Sequence, residues 1–276
     1  VYTTTITRLH GSDNISNVPL SELLGDRFAL SDLENKDVNI DNELAGQTIR
    51  EAAVIKRLTS GSKQRIRIQR KNQRAYDTTL YAKLIFNANK IPISVDDSDA
   101  YNRRVIIIAF PNRFEGKNAD IQLVSKLTTE EELSGIFNVL MNSLRRIRKT
   151  GDIYVNEKTI EEKRIKYQRT AKPIKAFIDE AVADDSTADT PVRKEEFYLA
   201  YEKYCKKYAL PVEKYEPFCK HIKYFRFGDD ERTEIRETRR DIGDVDKDGN
   251  SKKTQCWVGV ILRPEYALEN EQQRLV

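Results

Sequence analysis

Three short runs dominated by apolar residues lie in the first half of the chain. They occupy residues 37–40, 83–87 and 105–110, and the last is continuous and stopped by Pro111. A continuous apolar run of this length is typical of a strand covered on both faces, as in a parallel sheet. The pattern therefore predicts the buried strands of an α/β sheet, with helices packed over them.

A long helix is predicted after these runs. Thr128 stands three residues before Glu131, which is the spacing of a capping box, and basic residues followed by Gly151 close the segment. Apolar residues recur between these ends at helical spacing: Leu133, Ile136, Phe137, Leu140, Leu144 and Ile147. The charged stretch 157–169 that follows is expected to be a helical connector with little burial.

A second domain is expected from about Lys172, where tyrosines accumulate. One helix is predicted there, with Thr190-Pro191 as its cap and first-turn proline, and a shorter helix around Phe218 and Ile222. The first helix places these residues on one face: Phe197, Tyr201, Tyr204, Cys205 and Tyr208. The run Trp257–Leu262 reads as a strand reached through a turn at residues 248–250. Helices followed by a charged hairpin are typical of a winged-helix module.

Charge and cysteine content limit the classes of protein. The 48 basic and 44 acidic residues leave a net charge of +4, so a nucleic-acid role requires a local basic patch. There is no apolar run long enough for a membrane helix, and three cysteines without a Cys-x-x-Cys pair suggest neither a disulfide framework nor a zinc site. Cys205, Cys219 and His221 are therefore expected to bind no metal. These features favour a soluble, cytoplasmic protein.

The strongest local signal is a basic segment between Ala52 and Tyr76. It contains no acidic residue and eight basic ones: Lys56, Arg57, Lys63, Arg65, Arg67, Arg70, Lys71 and Arg74. Alternation of arginine and isoleucine over residues 65–68 would place the arginines on one face of a strand, where they could meet phosphates. The alternative is a charged edge strand that protects the sheet against aggregation.

Polar residues that follow the predicted strands are the other candidates. Asp41 and Glu43 come just after the first run, Asn87 and Asn89 after the second, and Arg103 and Arg104 just before the third. Carboxylates at such a position hold Mg²⁺ and orient water in nucleotide-hydrolysing α/β folds. They are equally compatible with a turn or a helix cap, and the arginines with surface salt bridges to Asp96, Asp97 or Asp99.

The order of these segments resembles the helicase region of phage and plasmid primase-helicases, which belong to superfamily 3 of the AAA+ P-loop ATPases. The resemblance covers residues 10–150. It rests on Asn39-Ile40-Asp41-Asn42-Glu43-Leu44, Lys56-Arg57-Leu58-Thr59-Ser60-Gly61, Ala88-Asn89-Lys90-Ile91-Pro92 and Asn102-Arg103-Arg104-Val105. Residues 172–276 are similar to the winged-helix domain that follows in those proteins, and residues 151–171 would be a helical connector.

The resemblance implies roles for several residues. Glu43 with Asp41 would be the Walker B acids, Asn89 the polar sensor, and Arg104 or Arg103 an arginine finger that reaches a neighbouring subunit. Lys63, Arg65, Arg67, Arg70, Lys71 and Arg74 would form the hairpin that contacts DNA. Two departures are Ser62, where the family usually has an acid, and Asn42-Glu43 in place of Gly-Asp. The implied activity is ATP-driven translocation, with Mg²⁺, on single-stranded DNA by a ring of six subunits, with a primase domain upstream as a further possibility.

One motif of that family is absent. A phosphate-binding loop needs Gly-x-x-x-x-Gly-Lys-Ser/Thr, but Gly116-Lys117 precedes Asn118 and no other Gly-Lys pair exists. In the family this Walker A motif lies just upstream of the segment matching residues 10–20, so the chain is expected to be a C-terminal portion that is inactive alone. The rival interpretation is a non-catalytic module that docks on DNA or on a protein partner. A metal-dependent nuclease using Asp41, Glu43 and residues 96–99 is a third.

Overall fold

The chain forms two compact units, Val1–Ile108 with Asn112–Tyr167, and Ala109–Pro111 with Gln168–Val276. The computed structural model describes all residues except 45, 47, 62–63, 111, 113, 152, 154–158, 185–189, 226–234, 246–250 and 268–276. Both units mix helices and strands, which agrees with the predicted α/β composition. None of the described helices is both long enough and apolar enough to cross a membrane.

The first unit contains a three-stranded parallel sheet. Its strands are β1 (Ile15–Ser16), β2 (Val38–Asp41) and β5 (Lys83–Phe86), with β2 in the centre. Val38 pairs with Ile15 on one side and with Lys83 on the other. Every residue of β2 is buried, as expected for the central strand of a parallel sheet. Two of the three predicted strands, at residues 37–40 and 83–87, are thereby confirmed.

A β-hairpin stands between β2 and β5 in the chain. Helix α3 (Ala52–Leu58) leads to β3 (Ile66–Ile68), which pairs antiparallel with β4 (Tyr76–Thr78). Ile66 and Ile68 are buried in a core with Leu33 and Leu58, whereas Arg67 between them is exposed. The predicted alternation of arginine and isoleucine is therefore confirmed.

The remaining helices of the first unit flank these strands along the chain. They are α1 (Tyr2–His10), α2 (Leu20–Gly25), α4 (Asp99–Asn102), α5 (Leu123–Leu127), α6 (Glu130–Thr150) and α7 (Ile160–Ala171). The predicted long helix and its Gly151 end are confirmed, since Gly151 takes a left-handed conformation there. The cap was placed one residue early, because Thr129 rather than Thr128 accepts the hydrogen bond from the Glu132 amide. The predicted helical connector corresponds to α7, but the expectation of little burial is wrong at Tyr167, which is 8% exposed and donates from its hydroxyl to the Pro92 carbonyl at 2.6 Å.

The predicted strand at residues 105–110 is wrong. The segment is not hydrogen-bonded as a strand to any described part of the chain. Ile106, Ile108 and Phe110 are 47%, 63% and 71% exposed, so it is not covered on both faces. One face does have a neighbour, because the Lys166 ammonium donates to the Ile107 carbonyl at 2.9 Å. An apolar composition does not suffice for a strand, because a ladder also needs a neighbouring strand.

The second unit packs helices against two small antiparallel sheets. Its elements are α8 (Pro173–Ala181), β6 (Val182–Asp184), β7 (Val192–Arg193), α9 (Lys194–Lys207), α10 (Tyr215–Lys223), β8 (Arg236–Val245), β9 (Ser251–Val258) and β10 (Val260–Leu262). One sheet has the order β7-β9-β8 and the other pairs β6 with β10. The core is aromatic, with Phe177 in edge-to-face contact with Phe197, Tyr201 and Tyr204.

Several predictions for this unit can be compared with its structure. The core role of Phe197, Tyr201, Tyr204 and Cys205 is confirmed, as is the helix around Phe218 and Ile222. Thr190-Pro191 does not begin the helix, because β7 intervenes and α9 starts at Lys194. The strand expected over residues 257–262 is divided at Gly259, whose φ of 84° interrupts the ladder. The turn predicted at residues 248–250 lies outside the described residues.

Candidate functional site

Asp41 closes the central strand of the parallel sheet, and its carboxylate is engaged by the backbone. One oxygen accepts a hydrogen bond from the Leu20 amide at 3.1 Å, and the other accepts one from the Glu43 amide at 3.1 Å. The residue is 9% exposed. Asp41 therefore holds the start of α2 and the turn after β2 in place, and its side chain reaches the surface only narrowly.

The other polar groups at this end of the sheet come from the exposed Asn42 and Glu43 and from the half-buried Asn87. Asn87 directly follows β5 and donates from its side-chain amide to the Asn42 side-chain oxygen at 3.1 Å. Its backbone continues the pairing, because its amide donates to the Asp41 carbonyl at 2.8 Å. Glu43 is exposed beside them. Carboxyl ends of adjacent parallel strands thus bring an acid and two amides to one edge, where α/β folds bind ligands.

Asn89 is exposed two residues farther along, beyond the end of β5. The amide that touches the turn after β2 is therefore that of Asn87, which the sequence singled out less strongly. The signal that identifies Asn87 is its position as the first residue after an apolar strand. Asn39 was missed altogether, although a polar residue inside a buried run suggests a structural role. Its side-chain oxygen accepts from the Ser16 hydroxyl and the Val18 amide, at 2.9 and 2.8 Å.

Arg103 and Arg104 differ in their surroundings. Arg103 is exposed, whereas Arg104 is half-buried and donates to the Ala100 carbonyl at 2.5 Å and to the Ser60 hydroxyl at 3.5 Å. Arg104 thus joins the end of α3 to α4. Within the described part of the chain, no hydrogen bond or ion pair joins either arginine to Asp41, Glu43 or Asn89.

A second link joins α3 to the segment before α4. The Lys56 ammonium contacts the Asp96 carboxylate at 2.7 Å, and Asp96 also accepts a hydrogen bond from the Ser98 amide. The hydrogen bond from Lys56 is the main cause that lowers the pKa of Asp96 to about 2. Asp96 is therefore a carboxylate held by Lys56, whereas the sequence analysis considered it as a partner for the arginines or as one of the carboxylates of a metal-dependent nuclease.

The β3–β4 hairpin presents its basic residues to solvent. Arg65, Arg67, Arg70, Lys71 and Arg74 are all exposed, and Lys63 lies outside the described residues. Arg65 donates to the Asp77 carbonyl across the hairpin at 2.9 Å. At the tip, the Gln73 amide donates to the Arg70 carbonyl, and Asn72 has the positive φ that such turns favour. The β3–β4 hairpin thus holds these five basic side chains at the surface.

Arg70 also anchors the hairpin internally. Its guanidinium contacts the Glu34 carboxylate at 2.7 Å, and the Tyr76 hydroxyl donates to the same oxygen at 2.6 Å. The hydrogen bond from Tyr76 contributes most to lowering the pKa of Glu34. An open polar groove beside this cluster is lined by Ser16, Asn17 and Glu22 together with Glu34 and Arg70. Arg70 is therefore less available to an external phosphate than Arg67 or Lys71.

The grouping of the acids in the first unit bears on metal binding. Among the described residues, no three His, Cys, Asp or Glu side chains are grouped as a metal site. Mg²⁺ bound with a nucleotide needs only one or two protein carboxylates, because phosphates and water complete its shell. Glu43, with the narrowly exposed Asp41, fits that smaller requirement. The phosphates of ATP do not have a matching glycine-rich cradle, since the sequence has no such motif.

Comparison with known proteins gives one family. Residues 3–104 match DUF5906, described as a family of unknown function. This match covers less than half of the chain and includes the parallel sheet, the β3–β4 hairpin, Arg103 and Arg104. No curated protein matches the chain.

Proposed function

We propose that the chain is the C-terminal part of a superfamily 3 replicative DNA helicase, consisting of part of an AAA+ domain and a winged-helix domain. The observation that carries the proposal is the insertion of an exposed basic hairpin between two adjacent parallel strands, β2 and β5. β2 ends at Asp41 and Asn87 directly follows β5, and the Asn87 amide donates to the Asp41 carbonyl. Contact of DNA with a hairpin at this position would be transmitted through β2 and β5 to the end of the sheet that carries Asp41 and Glu43.

The roles proposed for the site follow from its geometry and from the resemblance. Glu43 is the exposed carboxylate that would meet Mg²⁺ and orient water, and Asp41 would position the turn that carries it. Asn87 and Asn89 are the amides that would contact a phosphate or the attacking water. Arg103, which is exposed, would reach a neighbouring subunit of a hexameric ring, and Arg104 would position it. ATP would supply the transferable phosphoryl group, bound by a phosphate loop that this sequence does not contain.

The DNA contact can be tested on the chain itself. Arg65, Arg67, Lys71 and Arg74 are changed together to Ala, while Arg70 is retained because it anchors Glu34. Binding of a single-stranded oligonucleotide is measured over a salt series. Each lost phosphate contact should reduce the salt slope by about 0.7. A matched control removes four exposed charges from the end of α6, namely Arg145, Arg146, Arg148 and Lys149. Equal salt slopes in wild type and the hairpin variant would mean that the basic residues do not contact DNA and instead protect an edge strand against aggregation.

The proposed ATPase activity is tested with the variant Glu43→Gln. The chain alone should show no hydrolysis above background, because amides and a lysine for the phosphates are absent. In a polypeptide that also contains a Gly-x-x-x-x-Gly-Lys-Ser/Thr segment upstream, Glu43→Gln should abolish turnover and leave nucleotide binding. Turnover by the repurified chain that Glu43→Gln removes would contradict the first expectation.

A second candidate function is a non-catalytic module that binds DNA or a protein partner. It is favoured by the two backbone amides that already occupy the Asp41 carboxylate. A reading frame upstream of Val1 that encodes no phosphate loop would favour it further. In that case the hairpin variant would lose DNA binding, but no longer polypeptide would hydrolyse ATP.

A further inference from the structure

Helix α6 carries an apolar stripe that its own unit does not bury. The stripe, which we call the α6 seam, repeats at alternating intervals of four and three residues: Leu133, Phe137, Leu140, Leu144 and Ile147. These intervals are those of a coiled-coil seam, along which two helices pack side by side. None of the 21 residues of α6 is buried. The seam is therefore open to a partner helix.

The middle of the α6 seam is its most exposed part. Helices α1 and α5 lie beside α6, and Leu133 and Ile147 near its two ends are half-buried. Phe137, Leu140 and Leu144 between them are 55%, 51% and 39% exposed. Residues three and four apart are neighbours on a helix surface, so these three side chains form one apolar patch. Contiguous exposed apolar side chains of this kind mark a site of protein contact.

The two ends of α6 carry opposite charges. Its first turn contains three acids: Glu130, Glu131 and Glu132. Its last two turns contain four basic residues: Arg145, Arg146, Arg148 and Lys149. Within the described part of the chain, no hydrogen bond or ion pair engages the side chains of the three acids, of Arg148 or of Lys149. These charges are therefore available to a helix with the reverse order of charge.

A second copy of the chain supplies the reverse order when the two helices run antiparallel. If Phe137 of one copy lies opposite Leu140 of the other, Leu133 lies opposite Leu144 and the central layers of the pair are apolar. In this register residue 132 of one helix lies opposite residue 145 of the other, so an acidic turn faces basic turns at both ends. A parallel pair would place acids against acids and bases against bases. The charges thus select the antiparallel arrangement.

We propose that the α6 seam is a self-association surface, on which a second copy of the chain docks to form an antiparallel helix pair. The contact is isologous, because both copies use the same surface. It therefore differs from the head-to-tail contact of a ring, in which Arg103 would reach the next subunit, and it depends on neither ATP nor DNA. The exposed part of the seam is short, so the pair is weak and forms as the protein concentration rises.

The test reverses the charge at one end of α6 at a time. The acidic-end variant changes Glu130, Glu131 and Glu132 to Lys, and the basic-end variant changes Arg145, Arg148 and Lys149 to Glu. The matched control changes to Lys three exposed acids elsewhere in the same unit: Glu22, Glu51 and Glu115. Each protein is studied at low salt by sedimentation velocity, over a concentration series that extends to about 200 µM, with circular dichroism as the folding control.

The expected result is specific to the ends of α6. Wild type and the control should dimerise with the same dissociation constant. Each single-end variant should have a dissociation constant raised about tenfold or more, because like charges then face each other at both ends of its pair. A mixture of the two variants should dimerise again, since one helix is then basic at both ends and the other is acidic at both ends. A parallel pair would not lose affinity in the single-end variants, because its ends already repel each other in the wild type.

The apolar part of the seam is tested separately. Phe137, Leu140 and Leu144 are changed together to Gln, which should abolish the dimer and leave the fold intact because these side chains are exposed. Val139→Gln is the control, since Val139 is exposed outside the seam, and it should dimerise as the wild type does. A wild type that stays monomeric throughout the series, a reversed or Gln variant of the seam that dimerises like the wild type, or a mixture that stays monomeric would each overturn the proposal.

Discussion

At Asp96 one cation controls the ionisation of a carboxylate, and this makes a pH-dependent prediction. Its pKa is lowered from 3.8 to about 2, chiefly by the hydrogen bond from Lys56. A lowered pKa in the folded state stabilises the fold above the ordinary pKa, and this contribution is lost as the pH falls from about 4 towards 2. Asp96→Asn should therefore cost about 1 kcal/mol of unfolding free energy at pH 6, after allowance for solvent screening.

The measurement is urea unfolding of wild type and variant at pH 6 and pH 3. The difference between them should shrink at the lower pH, because the wild-type contribution is disappearing. Asp120→Asn is the matched control, since Asp120 contacts Lys126 at 2.6 Å at a more exposed position. A difference for Asp96→Asn that does not depend on pH would exclude the ion pair as its source.

The two adjacent arginines should differ in their effect on stability. Arg104→Ala removes hydrogen bonds to the Ala100 carbonyl and the Ser60 hydroxyl, and should cost about 1 kcal/mol. Arg103→Ala removes an exposed side chain and should change stability by less than about 0.5 kcal/mol. Denaturant titration of both variants decides this. Equal losses of unfolding free energy in the two variants would mean that the hydrogen bonds of Arg104 do not stabilise the contact between α3 and α4.

Residue types could be read from the sequence, but their partners could not. Polar groups at the ends of β2 and β5 follow from the pattern of apolar runs. The Leu20 amide binds the Asp41 carboxylate, and Asn87 rather than Asn89 contacts Asn42. Both contacts depend on how segments that are distant in the sequence pack together. Such contacts are set by tertiary packing, which local patterns do not contain.

Among the elements, α6 offers a direct test of its cap. The Thr129 hydroxyl accepts from the Glu132 amide, so Thr129→Ala should destabilise the helix by about 1 kcal/mol. Thr128→Ala is the matched control, because that hydroxyl instead donates to the carbonyl of Val124 in α5. Thermal unfolding followed by circular dichroism measures both. A larger effect at Thr128 would restore the cap inferred from the sequence.

Elements were predictable where their signal is local, and less so where they need a partner. The ends of α6 and the alternation in β3 are local features, and both were largely recognised. Residues 105–110 have strand composition without a paired neighbour, so propensity alone misassigned them. The register of the β8–β9 hairpin, in which Glu237 lies opposite Trp257, was likewise not visible in the sequence.

For the whole molecule, the presence of two cores predicts selective destabilisation. Phe177 is fully buried and contacts Phe197, Tyr201 and Tyr204, all within the second unit. Phe177→Ala should cost about 3 to 5 kcal/mol there. Amide hydrogen exchange should then show lost protection in α8–α10 and retained protection in β2 and β5. Loss of protection in both units together would show that they unfold as one cooperative body.

The burial of Trp257 has an optical consequence. The chain has a single tryptophan, and it is fully buried in the second unit. Excitation at the red edge of the protein absorption band, where tyrosine does not absorb, would therefore report on that unit alone. The Lys194 ammonium lies 4.4 Å from the centre of the indole ring, so the wavelength of the emission maximum should also be sensitive to that one contact. A spectroscopic titration thus reads the second unit without any label.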